Sequence, residues 1–72
     1  MEPLDHLVAQ ESRDLLTGAI RALPETERLC FGLVHVEQFS IEDTASCTAL
    51  RPKRIRQALA RARELLRARL AG

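Results

Sequence analysis

Apolar residues recur along the chain at intervals of three and four, the spacing of one face of an α-helix. The pattern predicts a leading helix over residues 1–22, in which Leu4 and Leu15 share a face. A central helix is predicted over residues 24–37, and a pair of helices over residues 40–70. Leu, Ala and Arg dominate the composition, which favours helices over strands. The sequence therefore predicts an all-α fold, a small four-helix domain.

The predicted helix starts carry residues that suit them. Pro24 and Pro52 stand where the first residue of the central and last helices is expected, a position that tolerates proline because its N–H would have no partner within the helix. Ser40 is a good N-cap for the third helix. Asp43, three residues later, makes a weaker relative of the capping box.

The last helix is amphipathic and follows the third after a short turn, Thr48–Leu50. Two helices joined so closely, the second of them basic, are typical of a helix-turn-helix. The apolar stripe of the last helix, spaced by 4, 3 and 4, consists of Ile55, Leu59, Ala62 and Leu66. The residues predicted on the opposite face are Lys53, Gln57, Ala60, Arg61 and Glu64, flanked by Arg54 and Arg56.

The central helix is apolar almost all round. Leu29, Leu33 and Val36 form one stripe, and further apolar residues, Phe31 and Val34 among them, lie between. A helix of this kind is either the buried centre of a bundle or leaves one apolar face for a partner. If such a docking surface exists, Phe31 and Val34 are its candidate residues.

Formal charge is divided unevenly along the chain. Residues 1–50 carry nine acids and three arginines, a balance of −6, whereas residues 51–72 carry eight bases and one acid, a balance of +7. A basic footprint confined to one element is typical of a nucleic-acid-binding face. A solvated basic helix that matches an acidic half of the same chain explains the charge equally well.

Several classes of function find no support in the residues. Cys30 and Cys47 lie in apolar segments without metal-site spacing and are expected to be reduced and buried in a cytoplasmic protein. His6 and His35 lack partners at ligand spacing and are expected to be exposed or capping residues. No nucleophile–base pair, carboxylate pair or phosphate-binding loop is recognisable, so neither catalysis, a cofactor nor a metal is expected. No apolar run approaches the ~20 residues that span a bilayer.

An ungapped register of residues over some two thirds of the chain, about residues 20–70, indicates a family. "LPETERLCFGLVHVEQFS" opens with Leu-Pro and acidic residues and leads through an apolar helix, and "RPKRIRQALARAR" is a basic helix with Arg-Ala-Arg. The segment resembles the C-terminal region 4 domain of bacterial RNA polymerase sigma factors. The residues in register are Leu23, Pro24, Glu25, Val36, Glu37, Ser40, Glu42, Ala45, Ile55, Leu59, Arg61, Ala62, Arg63 and Leu66.

The resemblance implies promoter recognition. In this family the last helix enters the major groove of the −35 element, the domain docks on the β flap of the polymerase core, and anti-sigma factors commonly capture it. Arginine suits guanine, glutamine suits adenine, and an alanine methyl suits the thymine methyl. By position, the resemblance implies base contacts from Arg56, Gln57, Ala60 and Arg61, and phosphate contacts from Arg51, Lys53 and Arg54.

The chain departs from the family pattern around the turn. Thr44, Cys47 and Thr48 stand where Ile or Leu is usual, Ala49 replaces the turn glycine, and Gln38 replaces the glycine of the preceding loop. An alanine at positive φ costs roughly 1–2 kcal/mol. We therefore expect a softer helix-turn-helix, with a turn that is either strained or differently shaped.

Three hypotheses remain open at this point. The leading one is a transcription-initiation module that reads a −35-type element. The alternative is a sigma-like protein-interaction module that binds polymerase, an anti-sigma factor or another regulator, with weak or no specific DNA binding. A third, a basic membrane-surface helix, has against it a small apolar stripe without an aromatic anchor. No counterpart of the sigma region 2 domain is visible, so the chain is either an excised domain or a stand-alone protein.

Overall fold

The computed structural model describes residues 13–71, which form helices joined by short turns. Within this part of the chain the all-α prediction is confirmed. Leu4 and the rest of the leading segment before residue 13 lie outside the described residues, and the extent of the domain over residues 1–72 stays a prediction. The elements are α1 over residues 13–21, α2 over Glu25–Phe31, a π-helical turn over Gly32–Val36, α3 over Ile41–Thr48 and α4 over Pro52–Ala71.

The start of α2 lies one residue later than predicted. Pro24 has φ −55° and ψ 156°, an extended conformation that cannot belong to the helix. Its carbonyl nevertheless accepts the first helical hydrogen bond, from the N–H of Arg28 at 2.8 Å. Pro24 is therefore the N-cap rather than the first helical residue. Glu25 and Glu27 occupy the first turn, where their charges complement the helix dipole.

The central helix does not end as a regular α-helix. Its last turn is π-helical, and the N–H of Glu37 donates to the carbonyl of Gly32 at 3.0 Å, five residues back. Gln38 then takes a left-handed conformation with φ 60°. The N–H of Phe39 donates to the carbonyl of Leu33 at 2.8 Å, which folds the chain back before α3 begins.

The predicted cap of α3 is confirmed. The hydroxyl of Ser40 accepts a hydrogen bond from the N–H of Asp43 at 2.9 Å, which satisfies one of the free donors at the helix start. Thr44 is fully buried on the inner face of α3. Its hydroxyl donates to the carbonyl of Ser40 at 2.8 Å, so the polar group enters the core with a partner.

The sequence predicted a turn between α3 and α4 that is either strained or differently shaped, and the structure shows a strained turn. Ala49 has φ 61° and ψ 14°, in the left-handed region that disfavours a side chain. The hydroxyl of Thr48 supports this turn from both sides: it donates to the carbonyl of Thr44 at 2.7 Å and accepts from the N–H of Leu50 at 3.2 Å. A side-chain hydroxyl thus bridges the end of α3 to the approach to α4.

The predicted apolar stripe of α4 is confirmed, since all four of its residues are buried. The stripe serves two groups of neighbours along the length of the helix. The turn cluster joins α2 to the first half of α4, and half-buried residues of α3 pack against it. The α1 cluster holds the second half of α4 against α1 and against Leu23, two residues beyond the end of α1. The turn cluster consists of Cys30, Ile55, Ala58 and Leu59, and the α1 cluster of Ala19, Leu23, Ala62 and Leu66.

The two cysteines differ in their surroundings. Cys30 is buried as predicted, and burial raises the pKa of its thiol, with a smaller opposing influence from the positive charge of Arg54. The prediction that Cys47 is buried is wrong, and its side chain is exposed. The reason is that α3 turns Thr44 toward the core, which leaves Cys47 on the flank of the helix.

No helix within residues 13–71 combines the length and apolar character that crossing a membrane requires.

Candidate nucleic-acid interface

The exposed side of α4 carries the residues that the sequence selected for contact with bases. The buried stripe fixes the rotation of the helix, because Ile55 and Leu59 are almost wholly enclosed. The opposite side therefore faces solvent. All four candidates for base contact are exposed, namely Arg56, Gln57, Ala60 and Arg61.

Three basic residues surround the N-terminus of α4. Arg51 is the last residue before the helix, and its carbonyl accepts from the N–H of Ile55 at 3.0 Å. Pro52 occupies the first helical position, as predicted, and Lys53 and Arg54 follow it within the first turn. No acid is present in this turn, although the helix dipole favours negative charge there. Exposed positive side chains and free backbone N–H groups at one helix end suit an anion such as a phosphate.

Arg61 differs from the other candidates for base contact because it forms an ion pair. One of its guanidinium nitrogens lies 3.7 Å from a carboxylate oxygen of Glu64, in a pair that is exposed to solvent on both sides. Arg61 also lines a shallow groove that α4 forms with the end of α1, where Leu65 and Pro24 are among its neighbours. An exposed pair of this kind contributes little to stability, so the guanidinium is free to exchange partners.

The strained turn determines how α4 is presented. Ala49 ends α3, and only two further residues precede Pro52. Ile41, Ala45 and Leu50 pack against the turn cluster from the α3 side, which holds the first half of α4 in place. The two helices and the turn therefore form the arrangement of a helix-turn-helix, with the polar side of its second helix outward.

A comparison with protein families decides what this arrangement is. The family described as Sigma-70, region 4 matches residues 13–66 of the chain, well over half of its length. The chain belongs to the sigma-70 region 4 family. This membership confirms the predicted family and gives the chain the DNA-binding, transcription-related role of a sigma factor domain, which is not enzymatic. Searches of curated proteins and of solved structures found no match.

The sigma region 4 domain also presents an exposed apolar surface on its central helix. Phe31 and Val34, the candidates for docking, are half-buried and pack against the core. Phe31 contacts both clusters, and its ring lies 4.6 Å from that of His35, which is exposed as predicted. These two side chains therefore form the inner side of the central helix.

The outer side of the central helix is the exposed apolar surface. Leu29 is 46% exposed and Val36 is 62% exposed. With the half-buried Leu33 between them they line an open groove, and Glu25 and Glu37 lie at its ends. We call Leu29, Leu33 and Val36 the outer groove. The sequence recognised these residues as a stripe, but its pattern could not tell which of two apolar faces is inward.

Proposed function

We propose that the domain reads a −35-type promoter element by inserting the first half of α4 into the major groove. The observation that carries this proposal is the exposed polar side of α4, which the buried stripe holds away from the core of a helix-turn-helix. A major groove is about 12 Å wide and admits one α-helix. The family membership supports DNA binding in general, and the residues of α4 suggest how sequence is read.

Each base-facing residue has a partner that suits its chemistry. Arg56 can donate two hydrogen bonds to O6 and N7 of guanine, and Gln57 can pair with N6 and N7 of adenine. Ala60 offers a methyl group to the thymine methyl. Arg61 can make the same two hydrogen bonds to guanine, because its exposed pair with Glu64 at 3.7 Å costs little to break.

Phosphates anchor the helix beside these contacts. Arg51, Lys53 and Arg54 lie at the positive end of α4, and the N–H groups of the first turn add to their attraction for an anion. Contacts of this kind fix position and orientation but do not specify sequence. Binding is therefore expected to weaken steeply with salt.

Selection from a pool of random duplexes tests the proposal. The wild-type domain should enrich a short motif, and Gln57→Ala should lose the preference at one or two positions, with about 1–3 kcal/mol of discrimination lost per bidentate contact. Arg21→Ala, which removes an exposed arginine of α1, is the matched control and should enrich the wild-type motif. If Gln57→Ala and Arg56→Ala both enrich that same motif unchanged, base readout by α4 is wrong.

We also propose that the outer groove is where the domain docks on the β flap of RNA polymerase, and that an anti-sigma factor competes for it. Exposed apolar residues that line a groove on one helix suit the apolar face of a partner helix. The proposed contacts are thus the residues of the outer groove, and no longer Phe31 and Val34 on the opposite side of the same helix.

Binding to the polymerase core tests the docking proposal. Leu29→Glu together with Val36→Glu should abolish co-purification with the core enzyme while leaving DNA affinity unchanged, because neither residue lies on α4. Leu15→Glu, at an exposed leucine of α1, is the control for added charge. Equal loss of polymerase in the double variant and in the control contradicts docking at the outer groove.

A second candidate function is a protein-interaction module with little specific DNA binding. The strain at Ala49 favours it, since a turn that is costly to hold weakens the presentation of α4 to a groove. Retention of polymerase together with no DNA binding at low salt would select this function over the first.

A further inference from the structure

α4 is longer than a recognition helix needs to be. Its 20 residues span about 30 Å at 1.5 Å per residue, whereas the major groove is about 12 Å wide. If the first half of α4 enters the groove, as proposed above, the second half must extend over the edge of the groove toward a phosphate backbone. Pro52 begins the first half, and Ala62 begins the second.

The second half of α4 is packed against the rest of the domain. Ala62 and Leu66 are buried against Ala19 and Leu23 in the α1 cluster, so both halves of α4 are held by the core. A helix that is packed along most of its length holds the Cα–Cβ bonds of its outer residues in fixed directions. Charges on the second half are therefore positioned relative to those on the first.

Exposed arginines form a line along one flank of α4. Arg56, Arg63 and Arg67 follow one another at intervals of 7 and 4, the same helical repeat as the buried stripe. Each stands one residue after a stripe residue, which places it about 100° round the helix from the core. We call these three residues the arginine flank. From Arg56 to Arg67 the flank extends about 17 Å along the axis.

The arginine flank carries no acid. Glu64, the single acid of α4, lies three residues from both Arg61 and Arg67. Its carboxylate pairs with Arg61, with an oxygen 3.7 Å from a guanidinium nitrogen. Within residues 13–71 the structure contains one ion pair, that of Arg61 with Glu64. None of the carboxylates there pairs with an arginine of the flank. Exposed guanidinium groups in a row along a rigid helix suit a row of phosphates.

We propose that Arg63 and Arg67 bind the phosphate backbone beyond the groove that the first half of α4 reads, and so extend the DNA footprint of the domain. This inference rests on the proposed function. Arg56 then lies where base contact and backbone contact meet, and the two further arginines add affinity without sequence preference. Each phosphate neutralised on duplex DNA contributes about 0.9 to the slope of log affinity against log salt.

Anisotropy titrations on a labelled 30-base-pair duplex of mixed sequence, over a fourfold range of salt, test the proposal. Arg63→Gln together with Arg67→Gln should reduce the magnitude of the slope by about 1.8, so that the fourfold rise in salt weakens binding roughly tenfold less than in the wild type. Arg13→Gln together with Arg21→Gln removes the same charge from α1 and should change the slope far less. Circular dichroism should show both variants folded.

The possible failures are distinguishable. An unchanged slope in Arg63→Gln/Arg67→Gln, or an equal fall in both double variants, overturns the extended footprint while leaving readout by the first half of α4 intact. A reduced slope without any sequence preference in the wild type supports the backbone contacts and removes −35 recognition. Absence of all DNA binding at low salt contradicts both.

Discussion

Ala49 has the least favourable backbone conformation for its residue type in the helix-turn-helix. Its φ of 61° lies in the region where a side chain costs roughly 1–2 kcal/mol, and glycine would avoid that cost. The sequence predicted the place of this strain, because an alanine stands where a turn needs a positive φ. It could not predict that Thr48 supports the same turn with two hydrogen bonds.

Ala49→Gly should therefore stabilise the domain by about 1 kcal/mol, since relief of strain exceeds the added flexibility of the unfolded chain. Ala60→Gly, on the exposed side of α4, is the matched control and should destabilise by about 1 kcal/mol. Urea denaturation followed by circular dichroism measures both. A loss of stability in Ala49→Gly as large as in Ala60→Gly contradicts the strained turn.

The two threonines of α3 are expected to respond in opposite directions. The hydroxyl of Thr44 donates to the carbonyl of Ser40, which also accepts a hydrogen bond from the N–H of Thr44. Thr44→Val therefore leaves no buried polar group without a partner, and it should be neutral or stabilise the domain by up to about 1 kcal/mol. Thr48→Val removes the acceptor of the Leu50 N–H and should destabilise by about 1 kcal/mol. Thermal unfolding of the two variants distinguishes them; the same sign in both would contradict these hydrogen-bond roles.

The thiols provide a chemical test of the packing. Cys47 is exposed and should react readily with a maleimide in the folded protein. Cys30 is enclosed in the turn cluster, and burial raises its pKa, so its thiolate is scarcer at any given pH and its reaction should be at least tenfold slower until the protein unfolds. Mass spectrometry of the labelled peptides gives the two rates. Equal rates in the folded protein contradict the buried position of Cys30.

At the scale of elements, α4 could be predicted well and the central helix only in part. A stripe spaced by 4, 3 and 4 with polar residues elsewhere has one possible inner face, and the structure buries that face. The central helix offered two apolar faces, and only its neighbours decide that Phe31 points inward and Leu29 outward. Its π-helical turn left no mark in the apolar pattern, which runs through Gly32 unbroken.

Two leucines of α4 test whether its second half is held by α1. Leu66 is 7% exposed within the α1 cluster, and Leu66→Ala should destabilise the domain by about 2 to 3 kcal/mol. Leu70 is 49% exposed, and Leu70→Ala should cost less than about 1 kcal/mol. Chemical denaturation compares them directly. If the two variants lose the same stability, the second half of α4 is not part of the core.

Across the domain, the basic surface of α4 and the outer groove lie on different helices. The bases of residues 51–72 lie on or beside α4, while the outer groove lies on the central helix between Glu25 and Glu37. The sequence predicted the basic surface, because the number of basic residues in a segment can be read directly from the sequence. For the apolar surface it named Phe31 and Val34, whereas the exposed side chains are Leu29 and Val36, because exposure depends on packing between distant residues. If both proposals hold, the two surfaces would allow one domain to hold DNA and a protein partner together.

We propose that α4 reads sequence and does not respond to charge alone. The most direct measurement is the ratio of affinities for the duplex selected from the random pool and for a scrambled duplex of the same composition, at one physiological salt concentration. We predict a ratio of at least about tenfold, a factor that corresponds to about 1.4 kcal/mol and to a single good base contact. Equal affinities for the two duplexes would contradict sequence reading by α4.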